Sequence, residues 1–241
     1  MAETARVALI TGANKGIGFE VARQLAQAGV TVLLGARDGA RGKAAAALLK
    51  AEGLSASVVR IDVTDPGSLR AAAAVVQAGH RRLDILVNNA GVSDRADGAP
   101  STARLDAVRR TFEVNFFGAL ATTQIMLPLL KRAPAARVVN VSSSLGSLTR
   151  NAERPTAEVR RIGYNASKAA LNMLTVQLAS ELAGTAIKIN AVAPGFTATD
   201  LTDHLGSQTP ATPAAHIVRL ALLPEDGPTG GFFAGEEAEP W

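Results

Sequence analysis

Residues 7–18 read Val7-Ala8-Leu9-Ile10-Thr11-Gly12-Ala13-Asn14-Lys15-Gly16-Ile17-Gly18, an apolar run that passes directly into a glycine-rich turn. The apolar run has no alternation of polar and apolar residues, which is typical of a strand buried on both faces. The glycines permit backbone conformations and close approaches that other residues disfavour. An amphipathic segment follows at once. The stretch therefore predicts a buried strand, a tight turn and the start of a helix.

Apolar, β-branched runs alternate with longer amphipathic segments along the whole chain, a pattern that predicts a parallel sheet with crossover helices. The predicted strands are Val7–Thr11, Thr31–Leu34, Ser57–Asp62, Ile85–Asn88, Arg137–Ser142, Lys188–Ala193 and Gly231–Ala234. The predicted helices are Gly16–Ala28, Ala40–Glu52, Pro66–Ala78, Leu105–Lys131, Ile162–Ala183 and Pro213–Leu223. No linker or repeat divides the sequence, so we expect residues 1–241 to form one α/β domain. Its core would be a doubly wound parallel sheet of about seven strands with helices on both faces.

Two of these helices have well-marked starts. Asp65-Pro66 and Thr212-Pro213 each place a capping residue before a proline at the first helical turn. In sheets of this kind, ligands bind beyond the carboxyl ends of the strands. The polar and glycine-rich motifs of this chain fall at such ends, so we expect them to meet at one edge of the sheet.

The composition is that of an ordinary globular protein, with 47% hydrophobic and 19% charged residues among 241. No apolar run reaches the ~18 residues that a membrane span needs. The chain has no cysteine, and His80, His204 and His216 lack metal-ligand spacing, so we expect no metal site. The first residues lack the features of a signal peptide, which makes a cytoplasmic location the default expectation.

The net charge of +4 comes mainly from arginines spread along the chain. There is no basic tail, and no aromatic residues are interleaved with the arginines as in a nucleic-acid platform. We therefore expect no nucleic-acid partner and no membrane partner. Solvated helix faces explain most of this charge, and part of it would suit an anionic substrate or carrier.

The chain contains one tyrosine, Tyr164, and Lys168 follows it four residues later within a predicted helix. This spacing places both side chains on one helix face, so an ammonium group can lie beside a phenol. A fixed positive charge lowers the pKa of a phenol from its ordinary value near ~10 toward the neutral range. The pair is therefore a candidate general acid/base, although a solvated helix face produces the same pattern.

The glycine-rich turn is a candidate phosphate site. Glycines let the backbone approach a pyrophosphate closely, and free N–H groups at a helix N-terminus bind anionic oxygens. A tight strand-to-helix turn without a ligand is the alternative interpretation. Because the turn follows the first strand of a βαβ pattern, we favour dinucleotide binding.

The spacing Gly-x-x-x-Gly-x-Gly resembles the glycine motif of the short-chain dehydrogenase/reductase family, Thr-Gly-x-x-x-Gly-x-Gly. Further motifs of that family occur in the same order along nearly the whole chain. They are Asn88-Asn89-Ala90-Gly91, Asn115, Asn140-Val141-Ser142-Ser143, Tyr164 with Lys168, and Pro194-Gly195 followed by Thr199. The resemblance implies a Rossmann-type fold and an oxidoreductase that transfers hydride between a nicotinamide cofactor and a C=O or CH–OH group. The residues near the end, Asp226 to Phe233 and Pro240-Trp241, resemble the carbonyl-reductase-like branch.

The resemblance also implies which cofactor binds, once charge is considered. A 2′-phosphate needs cationic donors, whereas an unphosphorylated ribose is usually held by an acidic residue that ends the second strand. Here the second strand ends at Arg37, with Lys15 inside the glycine turn. These two cations favour NADP(H) over NAD(H). Asp38 follows Arg37 and is interpreted as a helix cap.

Family motifs imply the other cofactor contacts. Asp62 and Val63 match the pair that contacts adenine, Asn88 is interpreted as structural, and Thr199 matches the residue that holds the carboxamide end of the nicotinamide. The full set predicted to bind the cofactor is Gly12, Asn14, Lys15, Gly16, Ile17, Gly18, Arg37, Asp62, Val63, Asn89, Ala90, Gly91, Tyr164, Lys168, Pro194, Gly195, Thr197 and Thr199.

The catalytic residues implied by the resemblance are Asn115, Ser143, Tyr164 and Lys168. Ser143 would donate a hydrogen bond to the carbonyl oxygen while Tyr164 delivers a proton. Lys168 would lower the pKa of Tyr164, and Asn115 would link Lys168 to solvent through an ordered water. Family sequences place the serine three residues before a glycine, here Gly146, which selects Ser143 and leaves Ser144 as the alternative.

The stretch between Ser143 and Tyr164 is longer than in many family members. Its extra residues, 149–156, are polar and are predicted to form a loop. Monomeric carbonyl reductases carry a much longer insertion there, so we expect a homodimer or tetramer, with the oligomeric state left open. Residues 194–212 are expected to form the substrate-binding loop.

The leading functional prediction is NADPH-dependent reduction of an aldehyde or ketone, reversible as alcohol oxidation. One alternative is reduction of a 3-oxoacyl group on an acyl carrier, for which Arg109, Arg110, Lys131 and Arg132 would offer a basic surface. A second alternative, from another class, is a non-catalytic NADP(H)-sensing regulator that keeps the fold without the chemistry.

Overall fold

A computed structural model of the chain describes residues 5–153 and 161–241. They form one eight-stranded sheet with the order β3-β2-β1-β4-β5-β6-β7-β8. The strands are β1 Val7–Thr11, β2 Thr31–Ala36, β3 Ala56–Arg60, β4 Ile85–Asn88, β5 Arg137–Val141, β6 Lys188–Ala193, β7 Phe232–Ala234 and β8 Glu237–Ala238. The first seven are parallel to their neighbours. The predicted doubly wound parallel sheet is therefore confirmed.

The eighth strand was not predicted. It pairs antiparallel with β7, through Phe233 opposite Ala238 and Ala234 opposite Glu237. Two residues are too short for a periodic pattern to show in the sequence. β8 covers the edge of β7 that would otherwise leave unpaired backbone groups.

The α-helices are α1 Gly16–Gln27, α2 Gly39–Ala51, α3 Pro66–His80, α4 Leu105–Phe112, α5 Ala119–Leu130, α6 Leu148–Glu153, α7 Ile162–Glu181 and α8 Ala211–Ala221. Buried side chains of α3, α5 and α7 pack on one face of the sheet, as Val76, Met126 and Leu171 illustrate. Buried side chains of α1, α2 and α8 pack on the other, as Leu25 and Ile217 illustrate. The sheet thus lies between two helical layers, as expected for strands without polar alternation.

Of the two predicted helix starts, one is confirmed and the other is wrong. Asp65 Oδ1 accepts a hydrogen bond from Gly67 N at 2.8 Å, so Asp65 caps α3 as predicted. The start at Thr212-Pro213 is wrong, because α8 already begins at Ala211 and Thr212 lies inside its first turn. Pro210, not Thr212, precedes the helix and fixes its backbone there.

The long helix predicted for Leu105–Lys131 is interrupted. Residues Glu113–Gly118 form a π-helical turn between α4 and α5, and Asn115 lies within it. Such turns accommodate one residue more than the α-helical spacing allows, and they are frequent at functional sites. The apolar periodicity on both sides is that of an ordinary helix, so the sequence does not reveal the wider turn.

The stretch after Ser143 also differs from the prediction. A short 3-10 turn, Ser144–Gly146, leads into α6, so residues 149–153 are helical rather than a loop. Residues 154–156 of the predicted loop lie outside the described residues. Along the described parts of the chain, no helix is both long and apolar enough to cross a membrane.

Candidate functional site

A cavity of about 470 Å³ opens at the carboxyl ends of β1 and β4, where the strand order of the sheet reverses. Its lining brings together most of the predicted cofactor residues: Gly12, Asn14, Lys15, Gly16, Ile17, Gly18, Arg37, Asp62, Val63, Asn89, Ala90, Gly91, Tyr164, Lys168, Pro194 and Thr199. Of the predicted site residues, Asn115, Ser143, Gly195 and Thr197 lie outside this lining. The position agrees with the rule that ligands bind where the order of a doubly wound sheet reverses.

The glycine turn has the geometry of a phosphate cradle. Gly12 has a φ of +65°, a left-handed conformation that side chains disfavour. A Cβ atom on Gly18 would lie 2.4 Å from Asn89 Nδ2 and 2.7 Å from Gly12 O. The turn therefore packs too closely on the end of β4 to accept a side chain there, and it leaves the N-terminus of α1 facing the cavity.

Thr11 and Asn89 hold this turn against the neighbouring strand. Thr11 Oγ1 accepts hydrogen bonds from the main-chain N–H groups of Asn89 and Ala90, both at 3.0 Å. Asn89 Nδ2 donates to Thr11 O at 2.9 Å and to Gly12 O at 3.2 Å. The cradle is thus braced before any ligand arrives, which reduces the ordering that binding requires.

The cationic end of the cavity is exposed. Arg37 follows β2 at the rim and makes no ion pair within the described residues. Lys15 lies in an ion pair with Asp200, a residue of the loop after β6. Hydrogen bonding to Lys15 holds the pKa of the Asp200 carboxyl below its usual range. Asp38 accepts hydrogen bonds from Ala40 N and Arg41 N, so it caps α2 as predicted.

Asp62 and Val63 lie between these cations and the π-helical turn. Asp62 Oδ1 accepts hydrogen bonds from Thr64 N at 3.0 Å and Thr64 Oγ1 at 2.8 Å, which fixes the carboxylate. Val63 packs against Gly118, where an added Cβ atom would lie 2.8 Å from Val63 Cγ2. This close contact places Val63 in the wall of the cavity.

Lys168 lies one turn after Tyr164 on α7, and its Nζ atom is 5.7 Å from the centre of the Tyr164 ring. Lys168 is only 4% exposed, and its Nζ donates to Val141 O at 2.8 Å. Burial lowers the pKa of Lys168 to about 8. Among residues 5–153 and 161–241, no carboxylate pairs with this buried ammonium group, an arrangement that costs stability and is typical of functional sites.

The pKa of Tyr164 departs from the sequence expectation. Desolvation by the surrounding protein raises it, while a hydrogen bond with Ser143 and the positive charge of Arg161 lower it. Lys168 Nζ is directed at Val141 O and lies 5.7 Å from the centre of the Tyr164 ring. That Lys168 lowers the pKa of Tyr164 stays a prediction.

The three consecutive serines have separate environments. Ser142 is buried, and its Oγ donates to Asn172 Oδ1 at 2.6 Å, so it braces β5 against α7. Ser143 Oγ accepts a hydrogen bond from Leu145 N at 3.2 Å, and the Ser143 side chain lies close enough to Tyr164 to lower the pKa of the phenol. Ser144 begins the 3-10 turn. This arrangement supports Ser143, rather than its neighbours, as the serine beside Tyr164.

Asn115 connects the loop after β4 to α7. Its Oδ1 accepts from Val92 N at 2.8 Å, and its Nδ2 donates to Val92 O at 2.9 Å and to Ser167 Oγ at 3.0 Å. A Cβ atom on Gly91 would lie 3.5 Å from both Asn115 Oδ1 and Lys168 Nζ. The glycine thus keeps the side chains of Asn115 and Lys168 close to each other.

Residues of the loop after β6 divide between the cavity and the loop itself. Thr199 lines the cavity beside the glycine turn, and a Cβ atom on Gly16 would lie 3.5 Å from Thr199 Cγ2. Thr197 is buried, and its Oγ1 donates to Pro194 O at 3.3 Å. Gln208 Nε2 also donates to Pro194 O, at 2.6 Å. Thr197 and Gln208 therefore stabilise the conformation of the loop, and they do not line the cavity.

Sequence reasoning missed Asp97 and Asp200. Asp97 accepts hydrogen bonds from Gly163 N at 3.0 Å and Tyr164 N at 2.9 Å, and it thereby caps the helix that carries Tyr164. Asp200 neutralises Lys15. Asp97 caps across 67 positions of sequence, so no local signal marks it. Asp200 directly follows Thr199, a predicted cofactor residue, and this position could have indicated that Asp200 lies at the site.

The whole chain is similar to known proteins. The family model of the short chain dehydrogenases matches residues 6–210. (−)-Isopiperitenone reductase of Mentha piperita is 34% identical over 99% of both chains. Carbonyl reductase (NADPH) 1 of Sus scrofa is 34% identical over 100% of this chain and 96% of its own.

Two solved structures extend the likeness to three dimensions. An NADPH-bound carbonyl reductase from chicken fatty liver aligns with a TM-score of 0.86 and 30% identity, covering 98% of this chain and 99% of that one. Salutaridine reductase from Papaver somniferum aligns with a TM-score of 0.83 and 29% identity, covering 95% of this chain and 99% of that one.

Proposed function

The chain belongs to the short-chain dehydrogenase/reductase family, and on that premise we propose that it reduces an aldehyde or ketone to an alcohol with NADPH. One observation carries the proposal. Tyr164 and Lys168, one helical turn apart, line the same cavity as Arg37, and Ser143 lies beside Tyr164 just outside that lining. A proton donor and an oxyanion donor side by side are what carbonyl reduction requires.

The residues present fit a phosphorylated dinucleotide. The glycine turn leaves no room for a side chain at Gly18, and the N-terminus of α1 suits a pyrophosphate. Arg37 and Lys15 would hold the 2′-phosphate, Asp62 and Val63 the adenine, and Thr199 the nicotinamide end. The names of the relatives, a carbonyl reductase that uses NADPH and an NADPH-bound structure, support the same choice.

When bound, NADPH supplies the hydride that reduces the carbonyl carbon. Ser143 then donates a hydrogen bond to the carbonyl oxygen as negative charge develops there. Tyr164 delivers its phenolic proton to that oxygen, and the positive charge of Arg161 would stabilise the phenolate that remains. Lys168 supplies positive charge beneath the ring, and Asn115 orders the surroundings of its ammonium group. Alcohol oxidation follows the same path in reverse.

The loop of residues 194–212 would complete the substrate site, as expected from its place beside the glycine turn. Substrates of the relatives, by their names, include isopiperitenone and salutaridine, which suggests a free small-molecule ketone rather than a group on a carrier protein. The prediction of a homodimer or tetramer stays a prediction.

The two alternatives receive less support from the described residues. Arg110 is neutralised by Asp94 and Asp106, so the basic surface proposed for an acyl carrier is weaker than the sequence suggested. A sensor without chemistry would not need Ser143 hydrogen bonded to Tyr164. These contacts favour reduction of a free carbonyl compound over an acyl-carrier substrate and over a non-catalytic sensor.

The deciding experiment is a screen of NADPH oxidation against aldehydes, ketones, quinones and 3-oxoacyl thioesters. We expect turnover with at least one free aldehyde or ketone, measured as loss of NADPH absorbance. Tyr164→Phe is the control, because it keeps the ring and removes only the proton donor. Turnover by that variant at the wild-type rate would contradict the mechanism, and activity confined to thioesters would contradict the substrate class.

A further inference from the structure

The last residues of the sequence pack on the helix that lies between the catalytic serine and tyrosine. Glu239 is bound by Arg150 of α6 through two hydrogen bonds, Nε to Oε1 at 2.9 Å and Nη2 to Oε2 at 2.8 Å. The Glu239 side chain is only 2% exposed. The Arg150 side chain is 42% exposed, so only the carboxylate is shielded from water, and Glu239 has no water to replace the two hydrogen bonds from Arg150. The position of α6 is therefore tied to that of Glu239.

Three further contacts strengthen this attachment. Thr149 N of α6 donates to the main-chain oxygen of Trp241 at 2.9 Å. The Trp241 ring stacks on Phe232 of β7 with 5.3 Å between ring centres. Glu239 N also donates to Phe232 O at 2.8 Å. The segment Glu237–Trp241 is thus fixed to the sheet on one side and to α6 on the other.

α6 is in turn bonded to the turn that carries Ser143. Asn151 Nδ2 donates to Leu145 O at 2.9 Å and to Ser147 O at 2.6 Å. Asn165, next to Tyr164 on α7, donates through its Nδ2 to Asn151 Oδ1 at 3.2 Å. Asn151 therefore joins the Ser143 turn to the first turn of α7.

The Ser143 turn also lies directly on α7. A Cβ atom on Gly146 would be 2.8 Å from both the carbonyl carbon and the Cβ atom of Lys168. Leu145 N meanwhile donates to Ser143 Oγ at 3.2 Å. A displacement of α6 would therefore change the distance between Ser143 and Tyr164.

We infer that Arg150 and Glu239 are positioning residues, which hold Ser143 in hydrogen-bond alignment with Tyr164 through α6 and Asn151. The inference rests on the proposed function, because it concerns the same pair of side chains. Neither residue touches the cavity, so the effect would reach the reaction only through α6. It also gives a role to the extra residues between Ser143 and Tyr164.

The chain offers two built-in reporters for the test. Tyr164 is the only tyrosine and Trp241 the only tryptophan. Phenolate absorbance therefore reports the ionisation of Tyr164 alone, and tryptophan fluorescence reports the packing of residues 237–241. The variant is Glu239→Gln, which keeps the size of the side chain and removes its charge. The matched control is Glu237→Gln in β8, where the glutamate is exposed.

In Glu239→Gln we expect kcat to fall about 10- to 100-fold, since small misplacements of catalytic groups have effects of this size. The Tyr164 ionisation should move to higher pH, because the hydrogen bond with Ser143 lowers its pKa. NADPH affinity should change by less than about twofold, since the cradle shares no partner with Glu239. Glu237→Gln should match the wild type in all three measurements.

A changed Trp241 emission together with wild-type kcat and wild-type Tyr164 ionisation would overturn the inference. If Glu239→Gln fails to fold, Arg150→Lys replaces it, because lysine keeps the charge but cannot make the two parallel hydrogen bonds. The kcat and the Tyr164 ionisation of Arg150→Lys then test the inference in the same way. If the wild type reduces no carbonyl compound, the proposed function fails. The shift of the Tyr164 ionisation in the variant then tests the alignment of Ser143 with Tyr164 without any activity measurement.

Discussion

The two lysines that line the cavity, Lys15 and Lys168, differ in exposure and in the groups that surround them. Lys15 lies at the rim with its side chain 54% exposed, and Asp200 neutralises it. Lys168 is buried, pairs with no carboxylate in the part of the chain that the structure describes, and has its pKa lowered to about 8. The exposed charge is screened by water and salt, whereas the buried one is sensitive to pH. One end of the site is thus suited to choosing a cofactor and the other to moving a proton.

This contrast predicts that substitutions at the buried end affect the rate most. Ser143→Ala removes the donor to the carbonyl oxygen, and we expect kcat to fall about 10²- to 10³-fold. Steady-state kinetics with the best ketone from the screen measures it. Ser144→Ala is the control and should stay near wild type. A large loss in the control instead would move the assignment to Ser144.

At the exposed end, the largest expected effect is on cofactor choice. Arg37→Asp replaces a cation that would face the 2′-phosphate by an anion, and we expect NADPH to bind about 10- to 100-fold more weakly, since hydrogen bonds to charged groups are worth this much. NADH affinity should change less. Arg70→Asp on exposed α3 makes the same change of charge away from the cavity. Fluorescence titration compares the two variants, and equal NADPH affinities would contradict the NADP assignment.

The pH dependence distinguishes the two lysines directly. Above about pH 8, Lys168 loses its proton and its positive charge, so kcat/KM for NADPH should fall, by about tenfold for each further pH unit. Lys168→Arg stays charged and should lack this decline, whatever its absolute rate. Lys15→Met should retain it, because Lys15 is exposed. A decline that persists in Lys168→Arg would assign the titration to another group.

The smallest expected effect concerns Asp200. Asp200→Asn frees Lys15 from its ion pair, so NADPH affinity should rise by up to about fivefold, in line with the weakness of exposed pairs. The gain should shrink as salt is added. Asp203→Asn is the control, because Asp203 lies on the same loop as Asp200 but pairs with Arg95 of the loop after β4. Isothermal titration at two salt concentrations measures both, and an identical gain in the control would remove any special role for Lys15.

Local patterns were sufficient to predict much of the molecule. The strand before the glycine turn, the turn itself and the Tyr164 and Lys168 pair are each specified by residues a few positions apart. The seven parallel strands were predicted from buried apolar runs. Most of the motifs predicted at the carboxyl ends of these strands line one cavity. What short-range spacing determines, sequence reasoning recovers.

Contacts between distant residues were not predictable in this way. Asp97 caps α7 from 66 positions before Gly163, and Glu239 binds Arg150 across 89 positions. The polarity of residues 149–153 suggested a loop, but packing against residues 237–241 makes them helical, since tertiary contacts override a weak local preference. Burial raises the pKa of Tyr164, and burial depends on the whole fold rather than on the spacing of Tyr164 and Lys168.

The π-helical turn Glu113–Gly118 contacts two parts of the cavity wall. Its Asn115 binds Val92 of the loop after β4 and Ser167 next to Lys168, while a Cβ atom added at Gly118 would lie 2.8 Å from Val63 Cγ2. Under the proposed function, Val63 would contact adenine and Lys168 would act at the nicotinamide end. A side chain at Gly118 would displace either Val63 or the backbone that carries Asn115, so we expect one substitution there to change both cofactor binding and turnover.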